Sequence, residues 1–230
     1  MRLACIQPPN RFDYGTAIQR IVTHQFPDVE FRVLDPRRDQ LHSVVSADAV
    51  IITGSHARIN RRPPFLVHLE DAIRAAVAES VPILGVCFGH QAVASVLGGT
   101  IETLPERSAG FEDIDLTEAG SNHDLFAGFD RTTTSFCWHR DHVREPLPDA
   151  RVLATNRTGV QAFESIRAPA FGIQFHPEFD RSMVETILRD RLASNRCRQH
   201  LSRSVTPDRY AEAQESRRLF TRFLEQYVVD

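Results

Sequence analysis

Short apolar runs alternate with segments of helical periodicity through the first hundred residues. Four apolar runs predict strands, at 3–6, 31–34, 48–53 and 83–86. Three segments whose apolar residues recur at helical spacing predict helices, at 16–25, 66–77 and 92–97. Strands that are apolar throughout are typical of a parallel sheet covered on both faces. The alternation therefore predicts an α/β fold with a doubly wound, mainly parallel sheet and helices on both faces.

From Gly98 onward the pattern changes to short strands separated by turns. These strands are predicted at 100–102, 113–116, 132–136, 152–155, 160–163 and 171–175. Such a series predicts a small antiparallel sheet joined to the parallel one. A helix over 182–192 and a polar segment over 193–204 follow. Thr206 and Pro207 then predict the start of a last helix, whose apolar face is expected to dock on the body or on another subunit.

Composition narrows the classes of function. The 230 residues carry a net charge of −3, with 42% hydrophobic and 25% charged residues, as expected for one globular domain over 1–230. No basic block indicates a nucleic acid or an anionic membrane as partner, and no apolar run approaches the roughly 20 residues of a membrane span. The four cysteines are scattered, which favours neither zinc nor disulfides and indicates a reducing cytoplasm.

One cysteine lies at a junction with a chemical meaning. The apolar run 83–86 leads through Gly85 to Cys87 and Gly89, and a helical pattern begins directly afterwards. Strand, sharp turn and helix with a nucleophile between two glycines form a nucleophile elbow. The helix N-terminus favours the thiolate form of the cysteine. The alternative is a buried structural cysteine, which the two glycines make the weaker interpretation.

A second motif supplies the groups that a thiolate nucleophile needs. His176, Pro177 and Glu178 follow the apolar run 171–175. Proline disfavours helix at the residue before it, and in an extended segment residues i and i+2 project to the same side. Glu178 can therefore orient the ring of His176, and the chain order Cys87, His176, Glu178 has the logic of a catalytic triad. On its own, such a tripeptide is more often a surface turn.

Together the two motifs resemble those of the class I (triad) glutamine amidotransferases, and more narrowly of free-standing proteins related to the amidotransferase domain of GMP synthetase. The motifs run from Gly85 to Gln91 and from Gln174 to Glu178. The resemblance implies a flavodoxin-like mixed sheet and no cofactor. It implies that Cys87 attacks the carboxamide carbon of glutamine or another γ-glutamyl compound. It also implies an oxyanion hole formed by the N–H groups of Gly54, which ends the run 48–53, and Phe88.

The resemblance also implies a substrate-binding set: Gln91, Ser108, Gly110, His139 and Asp141. Asp141 matches an acidic residue that would pair with the substrate α-ammonium; the alternative is an exposed polar loop. Ser108 and Ala109 depart from the family pattern, which puts the inherited substrate preference in doubt there. His139, Asp141 and His142 are potential metal ligands. Three ligands within four residues have poor geometry for a closed metal site, so no metal is expected. Residues 55–62 lie beside the expected pocket and are expected to gate it.

Four functions remain open on the sequence. An amidotransferase would deliver ammonia to a separate synthetase subunit, whereas a stand-alone hydrolase would cut glutamine or another γ-glutamyl amide and stop. The sequence holds no phosphate loop of the GxxxxGK[ST] type, which favours hydrolysis as the intrinsic chemistry. A non-catalytic member of the fold would be favoured by loss of a triad residue, and none is lost. A cysteine protease is less compatible with an Asp141 that selects a free amino-acid head group.

Overall fold

The computed structural model describes residues 1–145, 148–192, 201 and 204–228. In these residues nine strands form one sheet with the order β2-β1-β3-β4-β9-β8-β7-β5-β6. The strands are β1 Arg2–Ile6, β2 Glu30–Leu34, β3 Ala49–Ile52, β4 Ile83–Val86, β5 Thr100–Leu116, β6 Thr132–Glu145, β7 Ala150–Asn156, β8 Gly159–Ser165 and β9 Ala170–Ile173. The helices are α1 Tyr14–Gln25, α2 Leu66–Ala78, α3 Phe88–Val96, α4 Glu118–Ser121, α5 Arg181–Leu192, α6 Pro207–Ala213 and α7 Arg218–Tyr227. Short 3₁₀ turns lie at Leu41–Ser46, Ile59–Arg61, Asp124–Phe126 and Gln214–Arg217.

The parallel half of the sheet brings the ends of several strands to one edge. β1 to β4 and β9 run parallel, and the register aligns Ile52 with Gly85 and Val86 with Ile173. Chain segments that leave β3, β4 and β9 therefore emerge side by side at the carboxyl edge. Open α/β sheets bind their ligands at this edge. Gly54, Cys87 and His176 each come within three residues of the end of one of these strands.

Both faces of the parallel strands are covered, as the apolar runs predicted. Residues of β3 are all buried, and alternate side chains enter opposite cores. Val50 and Ile52 join a core with α2 and α3, whereas Ile51 joins one with α1 and α7. Burying each such side chain contributes about 1.5–3 kcal/mol relative to leaving it exposed. The mixed α/β fold with helices on both faces is thus confirmed.

The antiparallel half is longer and more continuous than the sequence predicted. The separate strands expected at 100–102 and 113–116 are one strand, β5, and β6 extends well beyond 136. Pairing between β5 and β6 continues on both sides of an irregularity between Thr103 and Ser108. Residues 106–110 and 138–143, which fall between the short strands predicted from the sequence, therefore lie in strands. The antiparallel strands also extend the parallel sheet through the β9–β8 pair instead of forming a sheet of their own.

The last helix predicted from Thr206 and Pro207 is present as two helices, α6 and α7, separated by the 3₁₀ turn Gln214–Arg217. The Thr206 hydroxyl accepts a hydrogen bond from the N–H of Arg209 at 3.3 Å, which caps α6. Phe220, Phe223 and Leu224 of α7 are fully buried against the same core as α1. Most of the polar segment predicted over 193–204 lies outside the described residues. No helix in the described ranges is both long and apolar enough to cross a membrane.

Candidate active site

Cys87 stands at a strained turn between β4 and α3. Its φ of 51° and ψ of −99° lie outside the regions that L-residues ordinarily adopt. Strain of this kind persists only where the surrounding structure enforces it, and it clusters at functional sites. The side chain is buried, with 4% of the residue exposed. The predicted strand, turn and helix are therefore present, with the cysteine at the turn.

Two glycines permit this turn by close packing. A Cβ on Gly85 would lie 2.5 Å from the carbonyl carbon of Gly89, and one on Gly89 would lie 2.2 Å from the carbonyl oxygen of Ile52. Real Cβ atoms do not approach backbone atoms this closely, so neither position accepts a side chain without movement of the backbone. The glycines hold α3 against the sheet, and this packing leaves Cys87 at the carboxyl edge.

His176 and Glu178 form a buried pair on the segment that follows β9. The Nδ1 atom of His176 lies 2.7 Å from Oε1 of Glu178, and both side chains are at most 2% exposed. The backbone N–H of His176 donates to the carbonyl oxygen of Phe136 on β6 at 2.8 Å, which anchors the segment. The i, i+2 relationship predicted from Pro177 is therefore observed. A carboxylate at Nδ1 leaves Nε2 as the atom that can exchange a proton with a neighbour.

The charge environment favours the imidazolium form of His176. Burial lowers the pKa of His176, but the negative charges of Glu178 and of the neighbouring Cys87 outweigh burial and raise this pKa to about 10. Within the described part of the chain, Nε2 of His176 has no hydrogen-bond partner. Glu178 thus contacts the His176 ring at Nδ1, and the nearby Cys87 helps to raise the pKa of His176.

The Gly54 backbone lies next to both His176 and Cys87. A Cβ added at Gly54 would lie 2.8 Å from Cε1 of His176 and 3.5 Å from Cβ of Cys87. The Asn10 amide donates to the carbonyl oxygen of Gly54 at 2.9 Å, which fixes this peptide. Neither the Gly54 N–H nor the Phe88 N–H donates a backbone hydrogen bond within the described chain. An oxyanion hole formed by these two N–H groups stays a prediction.

A cavity of about 210 Å³ opens at Cys87, and we call it the nucleophile cavity. Five residues predicted from the sequence line it: Cys87, Phe88, Gln91, His139 and Asp141. Sequence reasoning missed other lining residues, of which Trp138, Arg107 and Arg140 are the largest. A larger cavity, of about 680 Å³, lies between residues 36–45 and α2 and contains none of the predicted site residues.

Asp141 is buried and already paired. Its side chain is 3% exposed, and its Oδ1 accepts hydrogen bonds from the Arg58 guanidinium at 2.5 Å and from the Thr103 hydroxyl at 2.8 Å. The expectation that residues 55–62 lie beside the pocket is met by Arg58, which lines the cavity. The pair itself was not foreseen, because 83 positions separate the two residues and no local pattern connects them.

Gln91 and His139 converge on the backbone of Asp141. The Gln91 amide donates to the Asp141 carbonyl oxygen at 2.7 Å and to Oε1 of Gln174 at 3.1 Å. Nδ1 of His139 lies 3.2 Å from the same carbonyl, which can only accept, so the proton sits on Nδ1. Burial lowers the pKa of His139 to about 3, so its ring is neutral and its Nε2 is an acceptor. This Nε2 has no partner among the described residues.

Ser108 and Gly110 are not placed where the resemblance implied. The Ser108 hydroxyl is buried and donates to Glu112 at 2.7 Å, and Gly110 packs against Ser204 instead of the cavity. Neither residue lines the nucleophile cavity. Both lie between the two short strands predicted at 100–102 and 113–116, and the continuous pairing of β5 with β6 places them in the sheet. This placement does not support the predicted contact of either residue with the substrate.

The cysteine, acidic and histidine side chains of the described residues form no cluster suited to a metal ion. Cys5, Cys87 and Cys137 are free thiols. Across the described ranges, no group of three or more His, Cys, Asp or Glu side chains is arranged to hold a metal ion.

The fold and the turn define an α/β protein with a strained cysteine between a strand and a helix at the carboxyl edge of the sheet. Residues 11–194 match the family described as glutamine amidotransferase class-I. The chain belongs to this family, as the sequence motifs predicted.

Known relatives include GMP synthases. A glutamine-hydrolyzing GMP synthase of Clostridium kluyveri is 33% identical over 116 residues, covering 48% of this chain and 22% of that protein. One subunit of the glutamine-hydrolyzing GMP synthase of Methanopyrus kandleri is 37% identical over 102 residues, covering 43% of this chain and 52% of that protein. The match thus spans about half of such subunits and about a fifth of the longer synthases.

Solved structures support the fold over nearly the whole chain. A glutamine amidotransferase from Methylobacillus flagellatus superposes with a TM-score of 0.80 at 20% identity, covering 97% of this chain and 94% of that one. One from Thermotoga maritima superposes with a TM-score of 0.78 at 20% identity, covering 100% and 98%. At this identity the likeness establishes the mixed α/β architecture alone.

Proposed function

We propose that the protein hydrolyses the γ-carboxamide of glutamine or of another γ-glutamyl amide, with Cys87 as nucleophile. The observation that carries the proposal is the buried His176–Glu178 pair, joined at 2.7 Å, beside a strained cysteine at a helix N-terminus. A carboxylate that orients an imidazole next to a thiolate is the arrangement of nucleophilic catalysis.

The reaction runs in two steps. The Cys87 thiolate attacks the γ-carbonyl carbon, and the developing oxyanion is held by the N–H groups of Gly54 and Phe88. His176 gives its proton to the departing amine while Glu178 stabilises the ring, and the C–N bond breaks. Water then attacks the γ-glutamyl thioester, His176 accepts its proton, and glutamate and the thiolate are released. The net reaction consumes one water and yields glutamate and an amine.

Asp141 and Arg58 are suited to a zwitterionic head group. Their opposite charges lie 2.5 Å apart on the wall of the cavity that contains Cys87. A free glutamyl group carries an α-ammonium and an α-carboxylate side by side, so it can exchange partners with the existing ion pair. Asp141 would then hold the ammonium and Arg58 the carboxylate, each through a charge-assisted hydrogen bond. His139 Nε2, an acceptor without a partner among the described residues, provides a further polar contact.

The second candidate function is supply of ammonia to a separate synthetase. It is favoured by the relatives that are each named as one subunit of a glutamine-hydrolyzing GMP synthase, which implies that another subunit completes the enzyme. The two functions share the hydrolytic step and differ in whether the chain is active alone.

Release of glutamate and ammonia from L-glutamine by the purified chain tests the proposal, together with mass analysis after treatment with a chloroketone analogue of glutamine. We expect Cys87-dependent turnover and one equivalent of label on Cys87. Cys5 and Cys137 serve as internal controls, because burial raises the pKa of both thiols well above the usual value. Label on Cys5 or Cys137 in place of Cys87 would contradict the proposal, and label on Cys87 without turnover would favour the partner-dependent function.

Replacing Asp141 with alanine is expected to raise KM for glutamine by about tenfold or more, because a lost charge-assisted contact is worth about 1.5–3 kcal/mol. Alkylation of Cys87 by iodoacetamide, which carries no α-ammonium, should change much less. Steady-state kinetics and the alkylation rate measure the two effects. The exposed Asp71, which pairs with Arg74 on α2, provides a matched Asp71→Ala control. An unchanged KM in Asp141→Ala would remove Asp141 from the binding set.

A further inference from the structure

A second cavity, of about 390 Å³, lies beside His176, and we call it the His176 cavity. It shares Ser55, His56 and Trp138 with the nucleophile cavity as lining residues. Cys87 thus faces one cavity and its proposed base faces the neighbouring one. In the proposed reaction the amine departs toward the group that protonates it. Any substituent on that amine would therefore enter the cavity on the His176 side.

The walls of the His176 cavity are aromatic and aliphatic. Phe12, Tyr14, Trp138 and Ile187 line it together with His176. The ring centroids of Tyr14 and His176 are 5.6 Å apart. Phe12 and Trp138 are half-buried, with the guanidinium groups of Arg11 and Arg107 lying 5.7 Å and 5.0 Å from their respective ring centroids, and the exposed part of each ring can contact a bound group. An aromatic side chain buries about 150–250 Å² in such a contact, so a planar apolar group would bind here favourably.

Most polar groups of the cavity are engaged within the protein, whereas the His56 side chain on its wall is exposed. Arg11 and Asp190 form an ion pair with each other. The Asn10 amide donates to Gly54 at 2.9 Å, and the Ser55 hydroxyl donates to the carbonyl oxygen of Pro9 at 2.7 Å. Because these two charges are opposite and paired, the cavity offers no net charge that would favour a substituent with a single carboxylate or ammonium over an uncharged one.

We propose that the His176 cavity binds the amine portion of the substrate, and that the preferred substrates are γ-glutamyl amides of apolar or aromatic amines. Ammonia, the leaving group from glutamine, has no substituent that could use these walls. The inference rests on the proposed function and specifies its leaving group. Cys87 displaces the amine from the γ-carbonyl carbon, His176 transfers one proton to the amine nitrogen, and the neutral amine leaves. Water then hydrolyses the thioester to glutamate.

Three substrates with the same glutamyl group test this assignment: γ-glutamylbenzylamide, γ-glutamylmethylamide and L-glutamine. Benzylamine and methylamine are both alkylamines, so the comparison changes mainly the size and polarity of the substituent. Hydrophobic pockets distinguish substituents that differ by one methylene by about 10–200-fold, so kcat/KM for the benzylamide should exceed that for the methylamide by at least about tenfold. γ-Glutamylphenylalanine, which adds a carboxylate to a similar ring, should be a poorer substrate than the benzylamide.

Variants of the cavity wall give an independent measure. Ile187 is 4% exposed on α5, and Ile187→Trp would fill the cavity. The ratio of kcat/KM for the benzylamide to that for the methylamide should fall by at least about tenfold. Arg189→Trp adds the same side chain at an exposed position of the same helix and should leave the ratio unchanged. If Ile187→Trp fails to fold, Phe12→Ala removes a half-buried wall and should lower the same ratio.

The outcomes separate the inference from the function on which it rests. A benzylamide preference that the wall variants lower would support the assignment. Equal or better turnover of the methylamide, or no turnover of the benzylamide while Cys87 is still labelled by the chloroketone, would overturn it and leave the proposed function standing. No turnover of any substrate together with no label on Cys87 would overturn the proposed function and the inference with it.

Discussion

Replacing Cys87 with alanine is expected to lower kcat for glutamine hydrolysis by about five to six orders of magnitude, because loss of the nucleophile alone removes most of the catalysis in enzymes of this type. No other described thiol can substitute: burial raises the pKa of Cys5 and of Cys137 and keeps both protonated. Glutamate release at saturating glutamine, followed for hours at high enzyme concentration, measures the residual rate.

The matched control is Cys137→Ala, which removes a buried thiol from β6 outside the nucleophile cavity. It should retain kcat within a few-fold of the wild-type value when the protein is folded. Thermal unfolding of both variants distinguishes loss of chemistry from loss of structure. A Cys87→Ala variant that kept more than about one hundredth of the wild-type kcat would exclude Cys87 as the nucleophile, since known losses are far larger.

Local patterns in the sequence were sufficient to predict the centre of the site. The elbow needs only a strand, two glycines and a helix around Cys87, all within a few residues. The His176–Glu178 contact also follows from neighbours two positions apart. The apolar runs of β3 and β4 indicated a parallel sheet, and the carboxyl ends of parallel strands necessarily meet at one edge. These features could be predicted because each depends on short-range geometry that a single sequence specifies.

Long-range pairing determines the rest, and local patterns carry little sign of it. The Arg58–Asp141 ion pair joins residues 83 positions apart. The extent of β5 and β6 depends on how the two strands pair with each other. Their pairing resumes beyond an irregularity near Pro105, where the sequence pattern alone indicates a turn. That register also turns Ser108 and Gly110 away from the cavity. The apolar wall of the His176 cavity combines Phe12, Trp138 and Ile187 from three distant segments, so no motif could have identified it.

Replacing His176 with alanine is expected to lower kcat by at least about three orders of magnitude, since the variant lacks both the proton donor for the amine and the base for water. Alkylation of Cys87 by iodoacetamide at neutral pH should also slow, because the imidazolium no longer stabilises the thiolate. We expect added imidazole to restore part of the turnover of His176→Ala. Such recovery would not occur if His176 had a merely structural role. Glutamate release with and without imidazole measures this effect.

The pH dependence of stability gives a second test of the same residue. The pKa of His176 is raised from its ordinary value of 6.5 to about 10 in the folded protein, with Glu178 and Cys87 as the causes that outweigh burial. The folded state therefore binds a proton more tightly than the unfolded state, so this contribution is complete below pH 6.5 and is lost as the pH rises through about 10. The difference in Tm between the wild-type protein and His176→Ala should accordingly be larger at pH 6 than at pH 10.5.

Replacing Glu178 with glutamine keeps the imidazole of His176 but removes the carboxylate beside it. The variant should lower the pKa of His176, as histidine NMR would detect, and reduce kcat by up to about 10⁴-fold. A Glu178→Gln variant with wild-type kcat and an unchanged His176 pKa would contradict the role of the pair, because a neutral amide cannot supply the charge that holds the imidazolium.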